Sequence, residues 1–437
     1  MIKNIFKDSL FENSIFLIST NFAGSGLGFI FWVIAARYYS SHDIGIASSI
    51  FSGLSLVSMI SSIGLPVAMI YYLPRNNNTN KIINSCINAG IISSIIFSLI
   101  FLSGLKFWTP GLLGVLHSLK NNLIFVIITI AVSISMIIGS AFIAGKRSSF
   151  QMIKETSYHF IKIFPLILLR KFGAIGIFMS IGIGLILSIV IGYIILSRFW
   201  KFSPELTIDP IIKSMAGFSI GNHAATIFYN LPIFVLPIMI LNMMSAKFAG
   251  YFYIAMMMAS LLYGVSQSIS SSLLVESSDK IEFASVTNKA IKFNLAIMTI
   301  GIIFFIIFGR FILNIFNPHY AEQATMAMII LCIASMPLSL IGIFGTVRNA
   351  QNRVVSMATM DLLVASITII LSVPLIRMMG LEGAAISFLI ANTVGAFIVF
   401  IRLNDPKEFT IRLLYDIKND VSSNIMAING IISKKLD

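Results

Sequence analysis

Charged residues are scarce in this sequence. Only 11% of the 437 residues are Asp, Glu, Lys or Arg, while 57% are apolar and the mean hydropathy is +0.94. Soluble globular domains carry roughly 25% charged residues. The chain therefore cannot be a set of water-soluble domains, and it is predicted to be an integral membrane protein.

Cysteine is almost absent. The two cysteines, Cys86 and Cys332, both lie within apolar segments and are far apart in the chain. They offer neither a disulfide framework nor the close spacing of a metal site. We therefore expect two small core residues, no bound metal and no other cofactor.

Long hydrophilic segments are also missing. The longest stretches between apolar runs lie near 198–213 and 276–289. A membrane glycosyltransferase or polysaccharide polymerase needs a sizeable loop with carboxylates placed for acid–base or metal chemistry. These two stretches lack that spacing, so we expect that the protein is not an enzyme. Their carboxylates are Glu205, Asp209, Glu276, Asp279 and Glu282.

What the chain does contain is a series of long apolar runs. Runs of about 18 residues or more are too long for strands that cross a bilayer, and in hydrocarbon a helix satisfies its own backbone groups. The sequence predicts an all-α polytopic membrane protein with about twelve transmembrane helices, followed by an amphipathic cytoplasmic tail at 404–437. The predicted spans are 14–36, 46–73, 82–105, 123–144, 153–169, 173–197, 214–241, 248–275, 290–309, 324–346, 354–375 and 383–402.

The net charge of +13 comes from lysines and arginines that lie singly between the apolar runs. This distribution is typical of the positive-inside rule and does not resemble a nucleic-acid-binding surface. With a cytoplasmic N-terminus, the cytoplasmic segments contain more Lys and Arg than the external ones, even without the tail. We expect a multi-pass plasma-membrane protein with both termini in the cytoplasm and no nucleic acid partner.

Weak identities recur between the two halves at shifts of 205 to 207 residues. Their nearly constant spacing maps the first six spans onto the last six. Because six is even, both halves would enter the membrane from the same side, related by a two-fold axis along the membrane normal, with the pathway between them. We expect one lobe at 1–200 and another at 201–403. The matching blocks are Ser40 and Gly45 with Ser245 and Gly250; Gly139, Ala144, Arg147 and Glu155 with Gly345, Ala350, Arg353 and Asp361; and Gly173, Gly176 and Ser180 with Gly380, Gly383 and Ser387.

Several short motifs resemble a known family. They are ARYY at 36–39, DIG at 43–45, SIGLPVA at 62–68, YLPR at 72–75 and AGKR at 144–147. Together with the block around Gly250, they are similar to the polysaccharide-biosynthesis flippases of the multidrug/oligosaccharidyl-lipid/polysaccharide (MOP) exporter superfamily. The resemblance covers nearly the whole chain, although many relatives have fourteen spans.

The resemblance implies a V-shaped pair of six-helix lobes. It also implies that the protein moves a lipid-linked oligosaccharide, carried on a polyprenyl phosphate or diphosphate, from the cytoplasmic to the outer leaflet by alternating access. The expected partners are this lipid-linked oligosaccharide and membrane lipids. Glycosyltransferases or a polysaccharide polymerase would act beside it.

An anionic head group that crosses about 30 Å of hydrocarbon needs a wet cavity with positive charge. Ionisable residues inside spans are therefore functional candidates. Lys162, well inside the fifth span, either meets a phosphate or an ion-pair partner in a cavity, or lies at the lipid edge. His223 either meets a phosphate or forms an interhelical hydrogen bond, and Arg37 and Arg75 either contact cargo or only set the topology. The predicted cavity residues are Lys162, His223, Asn222, Arg37, Arg75, Lys213 and Asn21.

Two carboxylates occupy equivalent positions in the repeats. Glu155 and Asp361 each follow a basic link, Lys146–Arg147 and Arg353 respectively. Either each forms an ion pair within its lobe, or one of them couples transport to a cation or a proton. Asp361 lies deeper in its span and is the better candidate for coupling.

A second function within the same superfamily stays open. A drug or metabolite exporter coupled to Na⁺ or H⁺ would have a similar sequence but should need buried carboxylates. Only Asp361 is deep in a span, which favours the flippase. The flippase hypothesis predicts a cavity between the halves with net positive charge.

Overall fold

The computed structural model describes residues 9–76, 78–276, 283–350 and 353–404. Within these ranges the chain is helical, without strands. The predicted amphipathic tail lies almost entirely outside the described residues. The helices are α1 Ser9–Tyr38, α2 Ser41–Ser61, α3 Leu65–Tyr72, α4 Thr79–Ser103, α5 Leu105–Trp108, α6 Leu113–Leu116, α7 Leu119–Ala144, α8 Ser148–Ile161, α9 Ile163–Leu168, α10 Gly173–Trp200, α11 Ile211–Met243, α12 Ala246–Glu276, α13 Phe283–Phe316, α14 Pro318–Gln323, α15 Thr325–Ala350 and α16 Val354–Asn404.

Ten helical segments of the described residues are long and apolar enough to cross a membrane. The last of them, within α16, contains a non-helical residue at Gly380 and counts as two. The broken pair α8 and α9 supplies the twelfth crossing. The prediction of an all-α membrane protein with about twelve transmembrane helices is confirmed. The side of the membrane on which α1 begins is called proximal below, and the side on which it ends is called distal.

The second predicted span is not one continuous helix. The prediction of a single helix over 46–73 was wrong, because α2 ends at Ser61 and α3 begins at Leu65. Between them, Ile63 and Gly64 have φ values of 49° and 72°. Pro66 lies in the first turn of α3, where its missing N–H does no harm. The helix is therefore interrupted inside the first half.

The fifth span is broken as well. The sequence predicted a helix over 153–169, whereas α8 ends at Ile161 and α9 begins at Ile163. Pro165 has no N–H to donate to the Ile161 carbonyl, which weakens the helix at this point. The break places Lys162 between the two helices.

Equivalent glycines of the two halves have the same backbone geometry. Gly173 and Gly380 have φ values of 54° and 62°, in the left-handed region that favours glycine. Three residues later, a Cβ on Gly176 would lie 2.2 Å from the Leu169 carbonyl oxygen, and one on Gly383 would lie 2.0 Å from the Leu375 carbonyl oxygen. Each half thus turns into its sixth span in the same way. The predicted spans 354–375 and 383–402 meet closely at this turn, because the chain stays helical up to Gly380.

A second pair of equivalent glycines joins the halves on the distal side, where α2 meets α12. A Cβ on Gly45 would lie 1.5 Å from the Ala246 carbonyl oxygen, and one on Gly250 would lie 2.9 Å from the Ser41 carbonyl oxygen. The 205-residue shift that takes Gly45 to Gly250 also takes Ser41 to Ala246. The contact therefore has the reciprocal pattern expected of an interface around a two-fold axis.

Buried apolar side chains form a large core that extends through both halves. It includes Phe31 and Phe178 of the first half and Phe252 and Phe388 of the second. A separate core joins α3, α4 and α7 to Met215, near the start of α11. The first turns of α11 therefore pack on the first half.

Candidate functional site

The two halves are closely packed on the distal side. The Trp32 and Tyr253 rings lie 4.8 Å apart, centroid to centroid. The guanidinium of Arg37, at the end of α1, donates to the Ile315 carbonyl oxygen at 3.2 Å. These contacts surround the Gly45–Gly250 crossing, so an opening between the halves on this side requires several of them to separate.

On the proximal side the halves meet through aromatic rings. The rings of Tyr71 and Phe218 stack with centroids 4.6 Å apart. The Arg75 guanidinium lies 3.9 Å from the centroid of the Tyr71 ring and donates to the Tyr71 carbonyl oxygen at 2.6 Å. Arg75 is exposed and belongs to the rim of this contact.

His223 lies against the break in the second span. A Cβ on Gly64 would be 3.2 Å from the Cβ of His223 and 2.3 Å from the hydroxyl of Ser219. The Nε2 atom of His223 is buried and has no hydrogen-bond partner among the described residues. This imidazole therefore has one nitrogen available at the junction of the two halves.

Lys162 is buried between α1 and the broken fifth span. Its side chain is 6% exposed, and its ammonium lies 4.9 Å from the centroid of the Phe31 ring and 4.7 Å from that of the Tyr158 ring. No described carboxylate oxygen lies within 4 Å of it. Gly184 makes room for this arrangement, since a Cβ there would lie 2.7 Å from the Lys162 Cβ. The first half thus contains a buried cation held mainly by aromatic faces.

A second lysine of the same half is fully buried and is paired. The Lys154 ammonium donates to the Glu155 carboxylate and to the Ser135 hydroxyl, each at 2.6 Å. Gln151 also donates to the Glu155 carboxylate, at 3.2 Å. The described ion-pair partner of Glu155 is therefore the adjacent Lys154, and not the basic link Lys146–Arg147 that the sequence suggested.

The equivalent carboxylate of the second half is not neutralised in this way. Asp361 is 6% exposed, and its Oδ2 atom has no hydrogen-bond partner among the described residues. It lines a cavity of about 10 Å³ together with Tyr229 and Asn392, about the room for one water molecule or small cation. The Oδ1 atom of Asn392 is also buried without a described partner. The residue equivalent to Lys154 is Met360, at a shift of 206. Among the described residues, this cavity therefore has carboxylate and amide oxygens and no ammonium equivalent to that of Lys154.

The seven predicted cavity residues are not gathered into one cluster. Lys162 is inside the first half, and His223 is at the junction of α11 with the second span. Arg37 lies at the distal rim and Arg75 at the proximal rim. The remaining polar side chains are exposed or half-buried on α1 and α11: Asn21, Lys213 and Asn222.

Sequence reasoning missed several residues of these sites. Lys154 was not among the predicted site residues, although it is fully buried. Its position directly before Glu155 was the available signal. Tyr229 and Asn392 were not connected with Asp361, because they lie far from it in the chain and only the packing of α11 and α16 brings them together.

Known proteins share this architecture. The family model described as "Polysaccharide biosynthesis protein" matches residues 10–275. Among solved structures, the chain is similar to the lipid II flippase MurJ in an inward closed conformation, with a TM-score of 0.68 and 17% identity over 94% of this chain and 92% of that one. Comparison with curated proteins returned no match.

Two further solved structures have the same fold. An inward-facing multidrug resistance MATE family transporter of the MOP superfamily gives a TM-score of 0.64 at 12% identity, covering 89% of this chain and 96% of that one. A MOP superfamily transporter from Pyrococcus furiosus Vc1 (DSM3638) gives 0.61 at 11% identity, covering 89% and 94%. These identities show the fold alone. The family match establishes that the chain belongs to the polysaccharide biosynthesis protein family, and its fold is the one seen in multi-pass membrane transporters of the MOP superfamily.

Proposed function

We propose that the protein flips a lipid-linked oligosaccharide, carried on a polyprenyl phosphate or diphosphate, from the cytoplasmic to the outer leaflet by alternating access. The match of residues 10–275 to a polysaccharide biosynthesis family carries the proposal. The fold likeness to a lipid II flippase supports it, since the cargo named for that protein is also a lipid.

The proposal builds on the two lobes predicted from the repeat, 1–200 and 201–403, with the tail at 404–437 on the cytoplasmic side. Both termini lie in the cytoplasm of a cell whose plasma membrane holds the protein. The distal side, closed by the Gly45–Gly250 contact, then faces outward. Glycosyltransferases supply the cargo on the inside, and a polymerase or transferase uses it on the outside.

The charge of the chain fits an anionic cargo. The net charge is +13, and the first half contains the buried Lys162, whose ammonium has no described carboxylate oxygen within 4 Å. A buried ammonium costs desolvation free energy, and the cost is balanced if the group later attracts a phosphate. The imidazole of His223, with its free Nε2, is placed at the junction through which a head group would pass.

The proposal can be tested on cells and on purified protein. Deleting the gene should trap sugar-loaded carrier lipid on the inner leaflet. Purified protein in liposomes should move a fluorescent polyprenyl-diphosphate oligosaccharide to the opposite leaflet. Unchanged carrier pools in the deletion strain, together with no movement in liposomes, would refute the proposal.

The second candidate is an exporter of small molecules coupled to Na⁺ or H⁺. The cavity formed by Asp361, Asn392 and Tyr229 favours it, as does the likeness to multidrug resistance transporters. The same liposomes distinguish the two candidates. An exporter should move a small drug-like dye against an imposed ion gradient and leave the labelled polyprenyl lipid in place.

Replacing Lys162 with methionine should separate a functional role from a structural one. Methionine has a similar length and can fill the space between Phe31 and Tyr158 without a buried charge. We expect the K162M variant to be more heat-stable and its transport to be about tenfold to hundredfold slower, since a charge-assisted contact contributes ~1.5–3 kcal/mol. Thermal unfolding and the liposome assay measure the two effects.

A matched control is K120M, because Lys120 is an exposed lysine at the start of α7. This variant should change neither stability nor transport. If K162M were less stable than the wild type and equally active, Lys162 would be a structural residue only.

A further inference from the structure

The linker between the two halves is bound to the first half along its length. Residues 201–210 connect α10 to α11 without regular secondary structure. They run beside α4, which presents Asn80, Asn84 and Asn88 at four-residue spacing on one face. These three asparagines, with Lys81 and Ser85, are called the asparagine strap below.

The asparagine side chains of the strap form hydrogen bonds with the linker backbone in the pattern of a neighbouring β-strand. The Asn80 amide donates to the Ser203 hydroxyl at 3.0 Å and accepts from the Ser203 N–H at 3.2 Å. The Asn84 amide donates to the Ser203 carbonyl at 2.8 Å and accepts from the Glu205 N–H at 3.0 Å. Alternate linker residues therefore have their backbone groups satisfied by side chains of α4.

The pairing continues to the end of the linker. Asn88 donates to the carbonyl oxygens of Glu205 and Thr207 at 2.8 and 2.9 Å. The Asp209 N–H donates to the Ser85 hydroxyl at 2.8 Å. Alternate residues from Ser203 to Asp209 are thus held to one helix of the first half.

An ion pair joins the strap to the linker near the start of α11. The Lys81 ammonium lies 2.8 Å from the Asp209 carboxylate, and its hydrogen bond holds the pKa of Asp209 below the usual range. The pair therefore contributes at neutral pH and is lost as the pH falls through this lowered pKa.

The depth of the contact explains why asparagines are needed. Asn88 is nine residues into α4, or ~13 Å along the helix at 1.5 Å per residue. Non-helical backbone is tolerated at membrane depth only where protein or water satisfies its N–H and C=O groups. The asparagine side chains supply those partners.

The first two asparagines of the strap occur only in the half that carries the linker. At the repeat shift of 206, the positions equivalent to Asn80 and Asn84 are Val286 and Ala290. Shifts of 205 and 207 place no asparagine there either. The second half therefore does not repeat this part of the strap.

The third asparagine has a counterpart with a different role. A shift of 206 takes Asn88 to Asn294, whose amide donates to the Ser339 hydroxyl at 2.7 Å. That hydrogen bond joins two helices of the second half. In the first half, the same position is used to hold the linker instead.

The start of α11 also packs on the first half. Met215 belongs to the core that α3, α4 and α7 form. The Ser219 hydroxyl lies 3.5 Å from the Ile63 carbonyl oxygen, at the break in the second span. The attachment of the linker thus continues into the first turns of the helix that follows it.

We propose that the asparagine strap keeps the linker and the first turns of α11 attached to the first half throughout the transport cycle. The first moving body then includes these residues, although the repeat alone assigns them to the second lobe. The inference concerns which parts move together and holds for either cargo.

Hydrogen–deuterium exchange of the full-length protein in nanodiscs tests the strap directly. Exchange reports opening in every state that the protein visits. The amides of Ser203, Glu205 and Asp209 should exchange as slowly as those of α4. Exchange as fast as in the exposed loop at 117–118 would overturn the proposal, because a strap that opens during the cycle cannot protect them.

A pair of variants then assigns the protection to the side chains. N84A should speed exchange in the 201–210 peptide about tenfold and leave α7 unchanged. The control is N230A, because the Asn230 amide donates within its own helix to the Thr226 carbonyl oxygen. Equal exchange in N84A and N230A would also overturn the proposal.

A reversible cross-link tests whether the strap has to open. In a background with C86S and C332S, cysteines introduced as N80C and S203C can be bridged by oxidation or by a short bismaleimide. Oxidised protein should transport within about twofold of reduced protein. A loss of transport that reduction restores would show that the strap opens. Absence of transport in both redox states would count against the proposed cargo, and exchange would then decide on the strap.

Discussion

Gly45→Ala should slow transport severely. The new Cβ would lie 1.5 Å from the Ala246 carbonyl oxygen, so α2 and α12 could not approach as they do here. Overpacking of this kind costs ~1–3 kcal/mol or more, which moves the equilibrium about tenfold to hundredfold toward a state with the distal side open. Alternating access needs both states, so transport should fall by a similar factor.

Ala249 is buried next to Gly250 in α12, at the distal contact. A cysteine substituted for Ala249 reports whether the distal side opens. In the G45A background this cysteine should react faster with a membrane-impermeant maleimide than in the wild-type background. The liposome assay measures the loss of transport.

Two further glycines of α12 provide a graded control. A Cβ on Gly250 would lie 2.9 Å from the Ser41 carbonyl oxygen, whereas a Cβ on Gly264 would meet nothing within 4 Å. All three positions are helical, so the gain in helix propensity is the same. We expect G45A to be more severe than G250A, and G264A to be neutral. Equal transport by all three variants would mean that the distal contact does not take part in the cycle.

Asp361→Asn should remove the ion dependence of transport while leaving the fold intact. The substitution keeps the shape of a buried side chain and removes a charge that has no described basic partner. We expect higher thermal stability, since an unpaired buried carboxylate is costly. Transport driven by an Na⁺ or proton gradient should fall about tenfold or more, because a contact with a charged group is worth ~1.5–3 kcal/mol.

The equivalent carboxylate in the first half is a natural control with the opposite expectation. Glu155→Gln would leave the fully buried Lys154 without its carboxylate, so stability should fall. The response to the ion gradient should persist. Ion coupling through Asp361 would be excluded if D361N kept its full ion dependence, or if E155Q lost it.

The crossings were predictable because hydropathy depends on the order of residues alone. A run of apolar residues long enough to span a bilayer has to be helical in lipid, whatever it packs against. The repeat was detectable for a similar reason, because equivalent backbone positions of the two halves require glycine, as at Gly45, Gly173 and Gly380. This local steric requirement keeps the same residue type at a constant spacing in the sequence.

The helix breaks were harder to predict. The interruption of the second span depends on a left-handed Gly64 and on Ser219, which reaches it from another helix. A proline two residues later was visible, yet a proline near a helix start and one within a helix look alike in sequence. Only the packing of α11 against this point distinguishes them.

The sequence by itself determined that this chain is a duplicated, helical membrane protein, because bilayer thickness and backbone hydrogen bonding leave no alternative for such runs. The tertiary structure decided which polar groups act together. It paired Glu155 with Lys154, left Asp361 beside Asn392, and placed the linker on three asparagines of α4. Such contacts form when side chains from distant segments come within hydrogen-bond distance in a low-dielectric interior. The order of residues in the sequence does not specify which distant segments come that close.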